Sequence, residues 1–501
     1  MPKPLACLCW ILAITLGSGC AGAPIPATRT IGQPFVLADA GSGGKIKHIV
    51  VIVQENRTFD NFFDCFPGTD CVKTAPGPGA SPGPTTSASP CPVLHTLPPG
   101  PTPTPIALQI NVPLVDDNPD HTYCGAFKTE YDDGRMDGFY WERGCTPNKP
   151  CKLYTYRVTA RKDIQPYWDL ASQYVLADRM FPTEFSGSYT AHQDLIRGDT
   201  NFAKGESLVD FPWNSEHVKN WGCDDAPDTK TPFITSNLLY NMDGPFPCMK
   251  YETIRDVLDA AKITWRYYVP PWPKAGGQLW NAFDGISAVR YSDEWPTDPV
   301  KFTCNDSCVS WPNKNVLCDI KGIAGGECPT PKIKGTPELP AVSWVIPTLE
   351  ESDHSNTRRI DIGPDWVTSV VNAIGESKYW DSTAIVIFWD DWGGLYDHVS
   401  PPQLDYTGLG FRVPFIIVSP YAKKGYLSHT QYEFGSVLKF IESNFGLPSL
   451  GTTDKRANNI TDAFDFSQKP RAFVPIKRIK EKEDAQFFLR RRPDTSPVDT
   501  E

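Results

Sequence analysis

Beyond its first two dozen residues the chain has no long apolar run, and its basic residues are outnumbered by acidic ones, 48 to 59. The first lack argues against a membrane-spanning protein. The second leaves a formal net charge of −11 and argues against a nucleic-acid partner, because phosphate backbones attract basic surfaces. The one basic cluster, Lys477, Arg478, Lys480, Lys482 and Arg490-Arg491-Arg492, is interrupted by Glu481, Glu483 and Asp484. It reads as part of a solvated tail over residues 467–501 rather than as a site for anionic lipid. No internal repeat is visible, and with only eight histidines each one is informative. What is present, 501 residues that are 40% hydrophobic and 12% aromatic, suffices for one large core or two modest ones.

The apolar stretch that does exist opens the chain. Met1-Pro2-Lys3-Pro4, residues 5–16 and the small residues up to Ala23 form the three regions of a signal peptide over 1–23. Two cleavage sites compete: an imperfect lipoprotein box, Leu16-Gly17-Ser18-Gly19-Cys20, narrowly preferred, and Ala21-Gly22-Ala23 ahead of Pro24. Either predicts export as a secreted, periplasmic or lipid-anchored protein, and lipidation of Cys20 would bring it to a membrane surface. Cysteine usage agrees. With Cys7, Cys9 and Cys20 set aside, twelve of the 15 cysteines remain, an even set that allows six disulfides in an oxidising compartment. Cys304, Cys308, Cys318 and Cys328 have no histidine among them and read as local disulfides rather than a zinc knot.

Composition shifts twice along the chain. Residues 75–105 are too rich in Pro, Gly, Ser and Thr to pack and read as a surface insertion anchored at Cys91. Residues 205–340, rich in Trp, Pro and Cys with one clear helix at 253–261, predict a cap or lid. Within it Trp265, Tyr267, Tyr268 and Trp272 read as lid packing, with an entrance for an apolar or choline-like head group as the alternative. Elsewhere continuous apolar runs at 45–54, 341–347, 383–389 and 413–419 alternate with helical patterns at 365–374 and 431–444. Unbroken apolar strands alternating with amphipathic helices predict an α/β fold: a three-layer sandwich around a mainly parallel sheet.

Two of those strands end in oxygen-bearing pairs. Glu55-Asn56 follows the first strand and Asp390-Asp391 follows the 383–389 strand, ahead of Gly393-Gly394. Parallel strands place such pairs along one edge of a sheet, where open α/β folds build their sites. Together Glu55, Asn56, Asp390 and Asp391 form an oxygen-rich set suited to a hard divalent cation. Without a cation, three crowded carboxylates repel one another. The bland alternative for each pair alone is a cap or a turn.

The segment Glu55-Asn56-Arg57-Thr58-Phe59-Asp60 resembles the E-N-R-[ST]-F-D opening of the bacterial phosphoesterase family, which includes phospholipases C and acid phosphatases. Further similarity lies in Phe185-Ser186-Gly187-Ser188-Tyr189-Thr190-Ala191-His192-Gln193, where the family carries a Ser or Thr in a Gly-rich turn, and in Gly410-Phe411-Arg412-Val413-Pro414. In that turn Ser188 matches the nucleophile and a metal ligand, Ser186 and Thr190 are competitors, and capping of a helix starting at Ala191 is the structural alternative. His121, ahead of Gly134-Arg135-Met136-Asp137-Gly138-Phe139, and His354, in Glu351-Ser352-Asp353-His354, also match family segments. The resemblance implies that they bind phosphoryl oxygens or protonate the leaving group. His398 reads as orienting the metal loop and His192 as a phosphate contact.

The resemblance covers residues 45–466 and implies an alkaline-phosphatase-like sandwich. It also implies a metal-dependent hydrolase of phosphate mono- or diesters, phospholipids included, that forms a phosphoserine. Departures are the proline-rich insertion, the cysteine-rich middle and Ala191-His192-Gln193 where many phospholipases have P-N-R. A sulfatase is disfavoured because no C-x-P-x-R segment occurs at the nucleophile. The rival from another class is a non-catalytic surface protein that binds phospholipid or glycan.

Overall fold

Five consecutive β-branched residues, Ile49 to Val53, are buried on both faces of one strand, the condition of a parallel strand covered by helices on each side. That strand, β1 (His48–Gln54), is central to an eight-stranded sheet in this computed structural model. The others are β2 (Val175–Met180), β3 (Trp265–Tyr268), β4 (Cys308–Ser310), β5 (Val342–Val345), β6 (Thr383–Trp389), β7 (Val413–Val418) and β8 (Tyr426–Ser428). Their order is β4-β3-β5-β1-β6-β7-β2-β8. Only β7 runs against its neighbours; all other pairings are parallel.

The structure describes residues 42–492 except 80, 83–90, 92–93, 96–103, 111–117, 144–150, 215–220, 271–278, 297–301, 324–327, 329–331, 334–336, 356 and 358. The signal-peptide reading, with Cys7, Cys9 and Cys20, lies outside the described residues, as do most of the proline-rich stretch and Trp272. Among the described residues no helix is long and apolar enough to cross a membrane.

Among the described residues the α-helices of five or more residues are α1 (Phe59–Phe63), α2 (Gln165–Gln173), α3 (Ser188–Arg197), α4 (Ile254–Ala260), α5 (Asn315–Lys321), α6 (Ile362–Gly375), α7 (Phe434–Phe445) and α8 (Ala485–Arg490). Helices α2, α5 and α8 pack on α6, while α4 and α7 pack on α3. These two groups are the outer layers of the expected sandwich. Helix α7 stops where the sequence predicts, with Gly446 in the left-handed conformation at φ 64°.

Three readings need correction. The 205–340 stretch is not only a cap, because it supplies β3 and β4 to the central sheet. Trp265, Tyr267 and Tyr268 are therefore fully buried strand residues and line no entrance. Aromatics suit a covered strand as well as a lid, and composition alone does not separate the two. Second, residues 467–492 are not a solvated tail. Phe488 and Leu489 of α8 are buried, Phe488 meets Trp366 of α6 at 5.2 Å, and Asn372 donates to the Ile476 carbonyl at 2.9 Å. Part of the basic cluster is held in ion pairs, Lys480 with Asp361 and Arg491 with Glu350. Third, the start of the proline-rich insertion packs, with the Gly79 N–H donating to the Asp137 carbonyl at 2.8 Å.

Disulfides join Cys65 to Cys71, Cys91 to Cys124, Cys223 to Cys248, Cys304 to Cys308 and Cys318 to Cys328. Cys151 is disulfide-bonded as well. The quartet at 304–328 is thus two local bridges, as its lack of histidine suggests.

Candidate active site

Strands β1 and β6 are parallel neighbours with Gln54 opposite Trp389. The next residue of each, Glu55 and Asp390, must then emerge side by side at one sheet edge. Backbone hydrogen bonds fix the join: Asp390 N–H donates to the Gln54 carbonyl at 2.9 Å, and Asn56 N–H donates to Asp390 Oδ1 at 3.0 Å. Asn56 sits at φ 61°, a left-handed conformation that asparagine tolerates better than most residues. Gly393, at φ 59°, packs so closely on Asn56 that a Cβ there would lie 2.6 Å from the Asn56 backbone oxygen. The glycine pair is turn chemistry and site chemistry at once, since the Gly393 N–H donates to Asp391 Oδ1 at 2.7 Å.

The third contribution comes from the N-terminus of α3. This helix starts at Ser188, with Gly187 as N-cap, rather than at Ala191. Ser188 Oγ donates to Asp391 Oδ2 at 3.1 Å. Its competitors point elsewhere: Ser186 Oγ donates to the Val209 carbonyl and Thr190 Oγ1 to the Gly187 carbonyl at 3.2 Å. One turn along α3, His192 Nε2 lies 3.2 Å from Glu55 Oε1 and 3.8 Å from Asp390 Oδ2. Glu55, His192 and Asp390 thus present ligand atoms within 4.8 Å of one another. From sequence His192 was only a phosphate contact. The signal that it belongs to the carboxylates is its i+4 spacing from Ser188, legible only once α3 is known to begin at Ser188.

His121 and His354 are brought to the same place, with ring centroids 5.9 Å apart. His121 Nδ1–H donates to the Pro119 carbonyl at 2.9 Å, so Nε2 accepts from Asn56 Nδ2 at 3.0 Å. That bond turns Asn56 Oδ1 away from the imidazole. Glu55, Asn56, His121, Ser188, His192, His354, Asp390 and Asp391 are all 0% exposed, so their charges interact in a medium far less polar than water. Burial, then the neighbouring Asp390 and Asp391, pushes the Glu55 carboxyl well above the usual range. Burial, then Asp390, does the same to Asp391. Burial lowers His192 to about 4, leaving a neutral imidazole able to act as a ligand.

Glu55 Oε2, Asn56 Oδ1 and Asp390 Oδ2 are buried acceptors without a hydrogen-bond partner. Orphaned oxygens of this kind beside a neutral imidazole fit a divalent cation. The chemistry of the donor set therefore agrees with the expected metal site.

A second buried cluster braces the first. Arg412 donates to Asp60 Oδ1 at 2.8 Å and to Asp397 Oδ1 at 3.0 Å. Asp60 Oδ2 in turn accepts from His398 Nδ1 at 2.7 Å and from the His398 N–H at 2.8 Å. These bonds tie α1, which follows Glu55-Asn56, to the loop that follows Asp390-Asp391. His398 holds that loop, as its position suggests; Arg412 lies within a noted motif, but its role as central cation was not foreseen.

The sequence profile of the Phosphoesterase family matches residues 46–448. The chain belongs to that family. As a member it is a phosphoric ester hydrolase. It is similar to phospholipase C A of Mycobacterium tuberculosis, 22% identical over 86% of this chain and 79% of the relative. It is also similar to the non-hemolytic phospholipase C of Pseudomonas aeruginosa, 23% identical over 91% of this chain and 63% of the relative. Among solved structures, a protein of the alkaline phosphatase superfamily from Vibrio parahaemolyticus matches over 62% of this chain and 66% of that one, at 10% identity and a TM-score of 0.31.

Proposed function

We propose that the protein is an exported, divalent-metal-dependent phosphoesterase of the phospholipase C or acid phosphatase type, with Ser188 as nucleophile. The observation that carries this reading is the Ser188 hydroxyl at the N-terminus of α3, 3.1 Å from Asp391 and beside carboxylate oxygens with no partner of their own. A bound cation would neutralise the carboxylates and lower the cost of ionising a neighbouring hydroxyl. Glu55, Asn56, His192, Asp390 and Asp391 are the residues that would hold it, with the Ser188 oxygen as a further ligand.

In the chemical step the Ser188 proton passes to Asp391 as Oγ attacks phosphorus. The bond to the departing oxygen breaks, that oxygen takes up a proton from His354 or from water to leave as the alcohol, and a phosphoserine remains. The N-terminal N–H groups of α3 face the developing negative charge. His354 assists the departing oxygen or steadies the phosphoryl group, while His121 holds Asn56 in the orientation a cation needs. Water then attacks phosphorus, Ser188 departs and the proton returns to it. The names of the curated relatives favour a phospholipid diester as substrate.

The test is parallel hydrolysis of p-nitrophenyl phosphate and p-nitrophenyl phosphorylcholine, before and after chelation and metal return. Chelator-sensitive turnover supports the reading, and the preferred ester separates phosphatase from phospholipase C. Silence on both with metal bound would overturn it.

A further inference from the structure

Trp280 is completely buried, and its indole N–H has no hydrogen-bond partner. An orphan N–H alone is not a site: Trp366 in α6 has one too, packed against Phe488. Trp280 differs in its neighbours. Its ring lies nearly parallel to His192, 11° from coplanar at 6.2 Å, and 6.0 Å from His354. The indole therefore lies against two imidazoles of the site, one of which, His192, faces Glu55 and Asp390.

The backbone that carries the ring is also held at two points. Tyr267 of β3 donates to the Trp280 carbonyl at 3.0 Å. Gln193, on the helix that begins with Ser188, donates to the Ala282 carbonyl at 2.9 Å. A donor fixed in this way needs no reorganisation when an acceptor arrives. Buried tryptophans nearby show what an indole N–H ordinarily finds: Trp389 donates to Asp353 at 3.0 Å and Trp392 to Glu130 at 2.6 Å. A buried donor without an acceptor has lost its water and gained nothing in return.

Two complementary kinds of orphaned atom occur here. Oxygens of Glu55, Asn56 and Asp390 call for a cation, and the Trp280 N–H calls for an anionic oxygen. A phosphate ester beside a cation supplies both demands. We propose that the Trp280 indole N–H contacts the substrate, donating a hydrogen bond to a non-bridging phosphoryl oxygen that strengthens as charge builds there in the transition state. This rests on the phosphoesterase reading above.

The experiment compares the metal-loaded wild type with Trp280→Phe, which keeps an aromatic ring and removes the N–H. Three results are expected. The melting temperature stays at or above that of the wild type, because an unpaired donor has been removed. The value of kcat for p-nitrophenyl phosphate falls about ten- to hundredfold, the worth of a hydrogen bond to a charged acceptor, with KM changed much less. Affinity for orthovanadate, the inorganic probe, falls at least about fivefold. Turnover and vanadate affinity within about twofold of wild type in a folded variant would overturn the proposal. So would a marked drop in melting temperature with unchanged vanadate affinity, which makes the residue structural.

Should the variant not fold, the wild type decides alone. With 15N-labelled tryptophan, an indole N–H resonance moves downfield on saturation with vanadate; none moving refutes the contact. A wild type that hydrolyses neither p-nitrophenyl ester overturns the underlying reading instead, so the two failures are distinguishable.

Discussion

Replacing Arg412 with methionine tests whether the buried ion cluster behind the site acts through charge. Arg412 is 1% exposed, and its partners Asp60 and Asp397 are 1% and 0% exposed. The substitution keeps an apolar stem of similar length but leaves two buried carboxylates without their cation. Breaking a buried pair from one side costs about 3–5 kcal/mol, a large share of the roughly 5–15 kcal/mol that holds a typical domain. The sign of the pH effect follows from Asp397, whose carboxyl burial raises to about 6 even though Arg412 lowers it. A carboxyl with a raised folded-state pKa favours folding fully below its unfolded value and loses that favour as pH rises through the folded value. Without Arg412 it rises further, so the deficit of Arg412→Met is smallest near pH 5 and grows toward pH 8. Urea unfolding of both proteins at the two pH values measures it. Arg412 also stacks over the Phe59 ring at 4.4 Å, and loss of that packing alone would cost the same at both pH values. A deficit under about 1 kcal/mol at pH 8, or one that does not change with pH, would refute the charge argument.

The remaining tests probe the site and the core separately. Ser188→Ala is expected to lower kcat by about ten-thousandfold or more while leaving the melting temperature close to wild type; normal turnover in the folded variant would remove the nucleophile assignment. Chelation is expected to lower both activity and melting temperature, and return of a divalent cation to restore both. Asp391→Asn should melt at or above wild type in chelator, because the amide cannot ionise beside Asp390 as pH rises, yet gain less from added cation; calorimetry with and without metal reads both effects. Burial raises the Glu184 carboxyl to about 8, against the pull of its hydrogen bonds from Thr200 and Ser207. Its folded-state pKa is raised, so its stabilising share is complete below about pH 4.5 and is lost as pH climbs toward 8. Glu184→Gln should flatten the stability profile over that window; an unchanged slope counts against the assignment.

How much was legible follows from what each signal depends on. β1 and β6 were readable because parallel strands covered on both faces must be continuously apolar, and their polar ends then marked the site edge. β3 was not readable as a sheet strand, because Trp265-Arg266-Tyr267-Tyr268 carries a charge in its middle and lies in a Trp-, Pro- and Cys-rich context. Only the structure shows that the Arg266 charge is met by Asp319. Ser188, His121 and His354 were reached by resemblance, and the fold brings all three together. His192, Trp280 and Arg412 were missed or given lesser roles for one reason: each matters through partners far away in sequence. No local pattern distinguishes an imidazole facing Glu55 from one facing solvent.

The register explains why so unfavourable a group of charges persists. Glu55 and Asp390 are adjacent because Gln54 pairs with Trp389, and that pairing is enforced by the five apolar pairs that precede it, Ile49 with Ala384 to Val53 with Phe388, rather than by the carboxylates. Repulsion cannot be relieved by sliding one strand a single residue, since the slip would turn every inward side chain to the opposite face. Nor can it be relieved by solvent, because Glu55, Asp390 and Asp391 are all 0% exposed. The remaining ways to lower the energy are to take up protons, as the raised Glu55 and Asp391 carboxyls do, or to bind a cation, which makes the same oxygens ionised and useful near neutral pH. The apolar strands thus hold in place an arrangement in which burial and crowding favour proton uptake at Glu55 and Asp391 when no cation is bound, and this is why chelation and rising pH are expected to weaken the protein together.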